Sequence, residues 1–135
     1  MPGYSGTPLP KKLGIKHGFR ARLANAPAEV RAELGDALME CAELKQGDAL
    51  DFVMLFTKSR TQVTKEFSRT AELLAPAGML WVSWPKKSSG VATDLDENVV
   101  REIGLAAGLV DVKVCAVTEV WSGLKFVRRV KDRKG

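Results

Sequence analysis

The sequence predicts an α/β fold: a mostly parallel sheet with helices on both faces and an antiparallel hairpin at its C-terminal end. Three observations predict it. Residues 50–56 (LDFVMLF) and 79–84 are apolar at nearly every position, as in strands covered on both sides. Helical stripes alternate with the strand-like runs. The last two such runs are joined too closely for a parallel crossover.

The elements follow in order. Within residues 1–18, Thr7 would cap a short helical turn, Pro8 would start it and Gly14 would end it. Residues 19–24 read as a strand. Asn25 is placed to cap a helix that includes Pro27, with Val30, Leu34 and Leu38 on one face. Residues 39–44 read as a second strand, and Lys45-Gln46-Gly47-Asp48 as a turn into the strand at 50–56. Ser59-Arg60-Thr61-Gln62 fits a capping box, followed by a stripe of Val63, Phe67, Thr70, Ala71 and Leu74. Pro76-Ala77-Gly78 would stop that helix before the strand at 79–84. Residues 85–93 read as a loop. Asp94-Leu95-Asp96-Glu97 would cap the next helix, whose inner face is Val99, Val100, Ile103, Ala106 and Ala107 and whose stop is Gly108. Strands at 110–117 and 124–130 would flank a turn at Trp121-Ser122-Gly123. The organisation is an N-terminal extension (1–18), one α/β domain (19–130) and a basic tail (131–135).

The 135 residues are 45% hydrophobic and 27% charged, which excludes a disordered chain, a collagen and a coiled coil. Neither a membrane-spanning stretch nor an apolar leader is visible, so a cytoplasmic protein is expected. Cys41 and Cys115 fit small buried thiols of a reducing compartment. With His17 as the single histidine, no Cys/His zinc cluster can form, and no metal is expected. The net charge of +5 is uneven: residues 58–93 carry six bases and two acids, residues 94–127 three bases and six acids. The tail adds Arg128, Arg129, Lys131, Arg133 and Lys134. Such a tail would attract nucleic acid, although no aromatic residues interleave with it as base stacking requires; a solvated terminus is the plainer reading.

Open parallel sheets bind ligands beyond the carboxyl ends of their strands. Three loops occupy that edge. The first, Asn25-Ala26-Pro27-Ala28, lacks the glycines of a dinucleotide turn, and Pro27 removes a donor. The others carry Lys58, Ser59 and Arg60, then Ser83, Trp84, Lys86, Lys87, Ser88, Ser89 and Gly90. Lysines supply point charge, arginine a planar fork, serines hydroxyl donors, and the helix start near Arg60 a positive dipole end. The set suits a phosphate, carboxylate or other anion; a solvated lysine-rich loop is the plainer alternative. Trp84 would stack on a planar ligand or cover the core, and Trp121 would be a dimer contact or an edge plug. Asp51 lies at the opposite edge, as His17 should. Asp94 is the carboxylate nearest the Lys86-Lys87 loop, but a helix cap already employs it. No Ser/His/acid set, carboxylate pair or reactive cysteine motif assembles, which argues against a hydrolase.

Several segments resemble a small bacterial family known as a domain of unknown function, DUF3052. They are Gly3-Tyr4-Ser5-Gly6-Thr7-Pro8-Leu9, Lys11-Lys12-Leu13-Gly14-Ile15-Lys16, Ser83-Trp84-Pro85-Lys86-Lys87-Ser88-Ser89-Gly90, Val112-Lys113-Val114-Cys115-Ala116-Val117 and Trp121-Ser122-Gly123-Leu124-Lys125-Phe126-Val127. This resemblance implies no activity. More distantly, Leu13-Gly14-Ile15-Lys16-His17-Gly18 and Leu73-Leu74-Ala75-Pro76-Ala77-Gly78-Met79-Leu80 are similar to class I S-adenosylmethionine-dependent methyltransferases. That likeness implies a Rossmann-like, reduced methyltransferase-type fold. The chain departs from it at the cofactor glycines, and only 26 positions separate Asn25 from Asp51. The acidic residue that would hold a ribose has no clear counterpart, and Glu43 is a poor candidate. The expectation is therefore a non-catalytic module that binds an anionic small molecule or acidic partner at the edge, without cofactor. The alternatives are a divergent methyltransferase using S-adenosylmethionine and a nucleic-acid accessory protein.

Overall fold

The computed structural model describes residues 7–133. The Gly3-Tyr4-Ser5-Gly6 motif and Lys134 of the tail lie outside the described residues. The sheet order is β2-β1-β3-β4-β6-β5. Strands β1 (Arg20–Ala24), β2 (Ala42–Glu43), β3 (Leu50–Phe56) and β4 (Leu74–Pro85) run parallel. Strand β6 (Trp121–Arg128) is antiparallel to β4 and to the edge strand β5 (Leu109–Ala116).

Alternation along the central strands divides the core in two. Val53 and Leu55 of β3 and Leu80, Val82 and Trp84 of β4 meet α3 (Arg60–Ala71) and α4 (Glu97–Ala106). Phe52, Met54 and Phe56 of β3, with Trp81 of β4, meet α1 (Leu9–Leu13) and α2 (Ala28–Met39). This two-faced burial is why β3 and β4 read as continuous apolar runs. Helices α2 and α3 present the expected stripes, Val30, Leu34 and Leu38 on α2 and Val63, Phe67, Thr70 and Ala71 on α3. Helix α4, by contrast, buries Val100 and Gly104, half-buries Val99, Ile103 and Ala107, and leaves Ala106 exposed. Trp81 Nε1 donates to the Leu13 carbonyl at 3.0 Å, which pins α1 to the sheet.

Several boundaries differ from the sequence expectation. Thr7 and Asn25 do not cap: the N-cap positions of α1 and α2 are Pro8 and Pro27, without a side-chain cap bond. Met39 ends α2, and β2 is only two residues long; the Leu44 amide still donates to the Ala21 carbonyl at 2.7 Å before the chain enters a loop. Arg22 bonds the carbonyls of Leu44 and Gly47, and Arg20 that of Asp48. Leu74 belongs to β4 rather than α3, and Pro76-Ala77-Gly78 forms an irregularity inside that strand. A Cβ on Gly78 would lie 2.4 Å from the Leu50 carbonyl oxygen, so glycine there permits backbone approach. Trp121, Ser122 and Gly123 are in β6, opposite Pro85, Trp84 and Ser83. The turn precedes them, where Thr118 Oγ1 accepts from the amides of Val120 and Trp121. Gly123 answers to Trp81 and Val117, each about 3 Å from where its Cβ would be. Strand β6 stops at Arg128, and Val130 lies in a 3-10 turn.

Candidate functional site

The strand order reverses between β1 and β3, the place where open α/β sheets form a crevice at their carboxyl edge. A groove of about 440 Å³ lies there, lined by Asn25, Phe56, Thr57, Lys58, Gln62 and Trp121. Asn25 follows β1 with φ 61°, a left-handed conformation that asparagine tolerates better than most residues. Its amide nitrogen lies 3.5 Å from the Phe56 carbonyl oxygen, across the mouth between the two strands. Trp121 meets Phe56 edge to face, with ring centroids 5.3 Å apart. It is half-buried and lines one side of the groove.

The tips after β3 and β4 lie side by side, since Phe56 pairs with Ser83 in the parallel ladder. They are also fastened to the segment before α4. Thr93 Oγ1 donates to the Lys58 carbonyl at 2.7 Å, and the Asp94 amide reaches the same oxygen at 3.4 Å. The Lys86 amide donates to the Val120 carbonyl, which sets Lys86 beside the turn that leads to Trp121. Lys87 and Gly90 line an adjoining hollow of about 440 Å³ with Trp84, residues 91–93, Asp94, Leu95 and Asp96. Lys58, Lys87, Ser88 and Gly90 are exposed, and Lys86 is half-buried.

The other predicted site residues have structural employment. Ser59 Oγ caps α3 by accepting from the Gln62 amide. The buried Ser83 hydroxyl donates to the Ser122 carbonyl at 2.7 Å. Ser89 Oγ donates to the Lys86 carbonyl and accepts from the Val91 amide. Trp84 is buried and covers the core beneath the edge. Arg60 lines a separate depression between α3 and α4 with Thr64, Ser68, Glu102 and Ile103. Its backbone amide, the first of α3, donates to Asp94 Oδ1 at 2.7 Å. An internal carboxylate thus takes the start of α3, while Asp96 is the cap of α4, accepting from the Val99 amide. This division of labour separates two acids that the sequence offers for one helix start.

Glu43 pairs with Cα of Ala21, three positions before the end of β1, or roughly 10 Å short of the carboxyl edge. Its carboxylate is ion-paired to Arg31 at 2.8 Å, and that hydrogen bond holds its pKa below the usual glutamate range. The basic tail is partly engaged as well. Arg128 bonds the carbonyls of Ala71 and Leu74, and Arg133 bonds that of Arg128. Cys115 is half-buried, and burial pushes its thiol pKa up, against the opposing influence of Lys12 and Lys113. Among the described residues no His/Cys/Asp/Glu cluster suited to a metal occurs, and no helix is long and apolar enough to cross a membrane.

The sheet order, the doubly covered core and the reversed hairpin define the class: a methyltransferase-type Rossmann-like fold. Solved structures agree. Magnesium protoporphyrin IX methyltransferase from Synechocystis PCC 6803, with bound SAH, is 14% identical; the match covers 89% of this chain and 78% of that one, with a TM-score of 0.59. Fibrillarin from Aeropyrum pernix, with natively bound S-adenosyl-L-methionine, is 14% identical over 84% of this chain and 68% of that one, with a TM-score of 0.54. The mitomycin 7-O-methyltransferase MmcR is 12% identical over 87% of this chain and 50% of that one, with a TM-score of 0.62. At these identities the likeness is one of fold. The chain itself belongs to the DUF3052 family, described as proteins of unknown function, whose family model matches residues 24–130. The motifs quoted from residues 3–16 precede that match. No curated protein shows significant similarity to the chain.

Proposed function

We propose that this protein is a non-catalytic binding module that takes a small anionic ligand at the carboxyl edge of its sheet. The ligand rests in the groove of Asn25, Phe56, Thr57, Gln62 and Trp121, with Lys58 and Lys86 as its charge partners. Lys87 lines the adjoining hollow, and the exposed Ser88 follows it in the same loop. The observation that supports the reading is a link between two loops: Thr93 and Asp94, in the loop that also carries Lys86, bond the Lys58 carbonyl. The groove lining carries neither a histidine nor a carboxylate, and its single titratable side chain, Lys58, is used here as a charge partner. Because Asp94 already meets the α3 amide, the anion is held by side-chain charge and not by the helix start.

The experiment is titration calorimetry with inorganic phosphate, AMP and S-adenosylhomocysteine in turn, on the wild type and on Lys58→Ala combined with Lys86→Ala. Saturable binding of phosphate or AMP that falls at least about tenfold in the double variant is expected, a loss of about 1.4 kcal/mol. Equal affinity in both proteins refutes the assignment.

A divergent methyltransferase is the second reading. The left-handed turn at Asn25, beside a groove at the strand-order reversal, favours it. Against it stand Pro27 at the N-cap of α2 and the position of Glu43, low on β2 and tied to Arg31. It requires S-adenosylhomocysteine at millimolar concentration to raise the melting temperature by mass action. An unmoved melting curve removes it.

A further inference from the structure

On the α1 face of the sheet, away from the groove, four lysines gather around the seam between α1 and the terminal hairpin. Lys113 of β5 lies directly opposite Lys125 of β6 in the antiparallel ladder. Lys125 in turn pairs with Trp81 of β4, so the two ammonium groups extend a row whose inner member is fully buried. The Lys113 ammonium donates to the Lys12 carbonyl at 2.8 Å, and the Lys12 ammonium to the Ala116 carbonyl at 3.2 Å. Lys12 is buried to 8% exposure. The Lys125 ammonium lies 3.7 Å from where a Cβ on Gly14 would be, at the end of α1 and two residues before Lys16. No ion pair involving Lys16, Lys113 or Lys125 occurs among the described residues.

This arrangement is unfavourable in the free protein. Like charges directly opposite each other on neighbouring strands repel. Burial lowers the Lys125 pKa, and Lys113 and Lys16 lower it further. Carbonyl bonds from Lys12 and Lys113 hold two of the four side chains in place across the seam, and the Trp81 bond to Leu13 fixes α1 beneath them. The result is a preset concentration of positive charge on one rigid face. The donor set also discriminates. All four groups are ammonium point charges, which suit a compact dianion such as phosphate. A planar carboxylate is better matched by the arginine fork, and no arginine takes part.

We propose that Lys12, Lys16, Lys113 and Lys125 form a site for a phosphate-bearing small molecule with two or more negative charges, on the α1 face of β6 and β5. It is independent of the edge groove, since neither Lys58 nor Lys86 contributes to it.

Inorganic pyrophosphate is the probe, titrated calorimetrically against the full chain. Binding with a Kd of about 1 mM or tighter is expected. Lys113→Gln with Lys125→Gln should weaken it at least about tenfold, whereas Lys58→Ala with Lys86→Ala should leave it within about twofold. The same Gln pair should raise the melting temperature of the ligand-free protein by about 1–3 °C, because it relieves the cross-strand repulsion. That rise shows the variant is folded and separates lost charge from lost structure. Lys113→Arg with Lys125→Arg should retain binding within a few-fold. The proposal is overturned by the absence of pyrophosphate binding, by equal binding in the Gln pair, or by loss confined to the Lys58/Lys86 pair, which would return the anion to the edge. Tight binding of duplex DNA that depends on these lysines, without pyrophosphate binding, would overturn it in favour of nucleic acid.

Discussion

Replacing Asp94 with alanine tests how the edge is held together. Asp94 Oδ1 accepts the first amide of α3 at 2.7 Å, a charge-assisted bond from a different loop. Ser59 serves only the Gln62 amide, so Arg60 N–H would lose its protein partner. A cap of this kind contributes about 0.5–2 kcal/mol, and the exposure of Asp94 places the loss near 1 kcal/mol. For a chain of this size that is a fall of about 3–5 °C in melting temperature. Asp94→Asn keeps an acceptor and loses the charge, so it should cost about half as much. Added sulfate should then stabilise Asp94→Ala more than the wild type, because the vacated helix start accepts an external anion. Urea unfolding followed by tryptophan fluorescence, with and without sulfate, measures all three effects. An unchanged midpoint for Asp94→Ala, or a larger loss for Asp94→Asn, refutes the reasoning. So does equal stabilisation of variant and wild type by sulfate.

Three further outcomes follow from packing and charge. Gly104→Ala would set a Cβ 2.0 Å from the buried Phe126 ring and should lower stability by about 1–3 kcal/mol or more, read by denaturant unfolding. Trp81→Phe removes the bond to the Leu13 carbonyl and should cost about 1–3 kcal/mol, with earlier proteolytic cleavage near α1 than in the wild type. Hydrogen bonding to Arg101 lowers the Asp111 pKa. The pair therefore contributes stability above the ordinary aspartate pKa, and that contribution is lost as pH falls through the depressed folded value. Arg101→Ala should flatten the decline in melting temperature below about pH 4 that Asp111 causes. An unaltered acid limb argues against the pair.

The middle of the chain was the most readable part. Residues 50–56 form β3 as expected, because burial on both faces leaves an unbroken apolar run. The Ser59 cap followed from local spacing alone. Elements set by distant partners were not readable. Strand β2 has only two residues, and arginines of β1 bond the loop that follows it, contacts no periodicity records. Ser122 and Gly123 read as turn residues, yet Gly123 serves the close passage of Trp81 and Val117. At the edge, adjacency of the Lys58 and Lys86 loops followed from two neighbouring parallel strands. The employment of Ser83 by Ser122 and the turning of Arg60 toward α4 depend on tertiary contacts. The groove residues Asn25, Gln62 and Trp121 were missed. Asparagine after a strand could have signalled a left-handed turn instead of a cap.

The two borders of the sheet differ in length but share an outcome. Exposed strand borders invite foreign strands to pair with them, and proteins blunt them by shortness, irregularity and lysine. Here β2 offers only two residues, too little to seed a ladder. On the far side β5 is eight residues long, but its pairing register breaks between Asp111 and Lys113, and the exposed Lys113 follows the break. Val112 and Val114 are exposed on either side of that lysine in sequence. Both borders thus carry features of the kind that blunt edge-to-edge pairing, brevity at one flank and an irregular, lysine-bearing strand at the other.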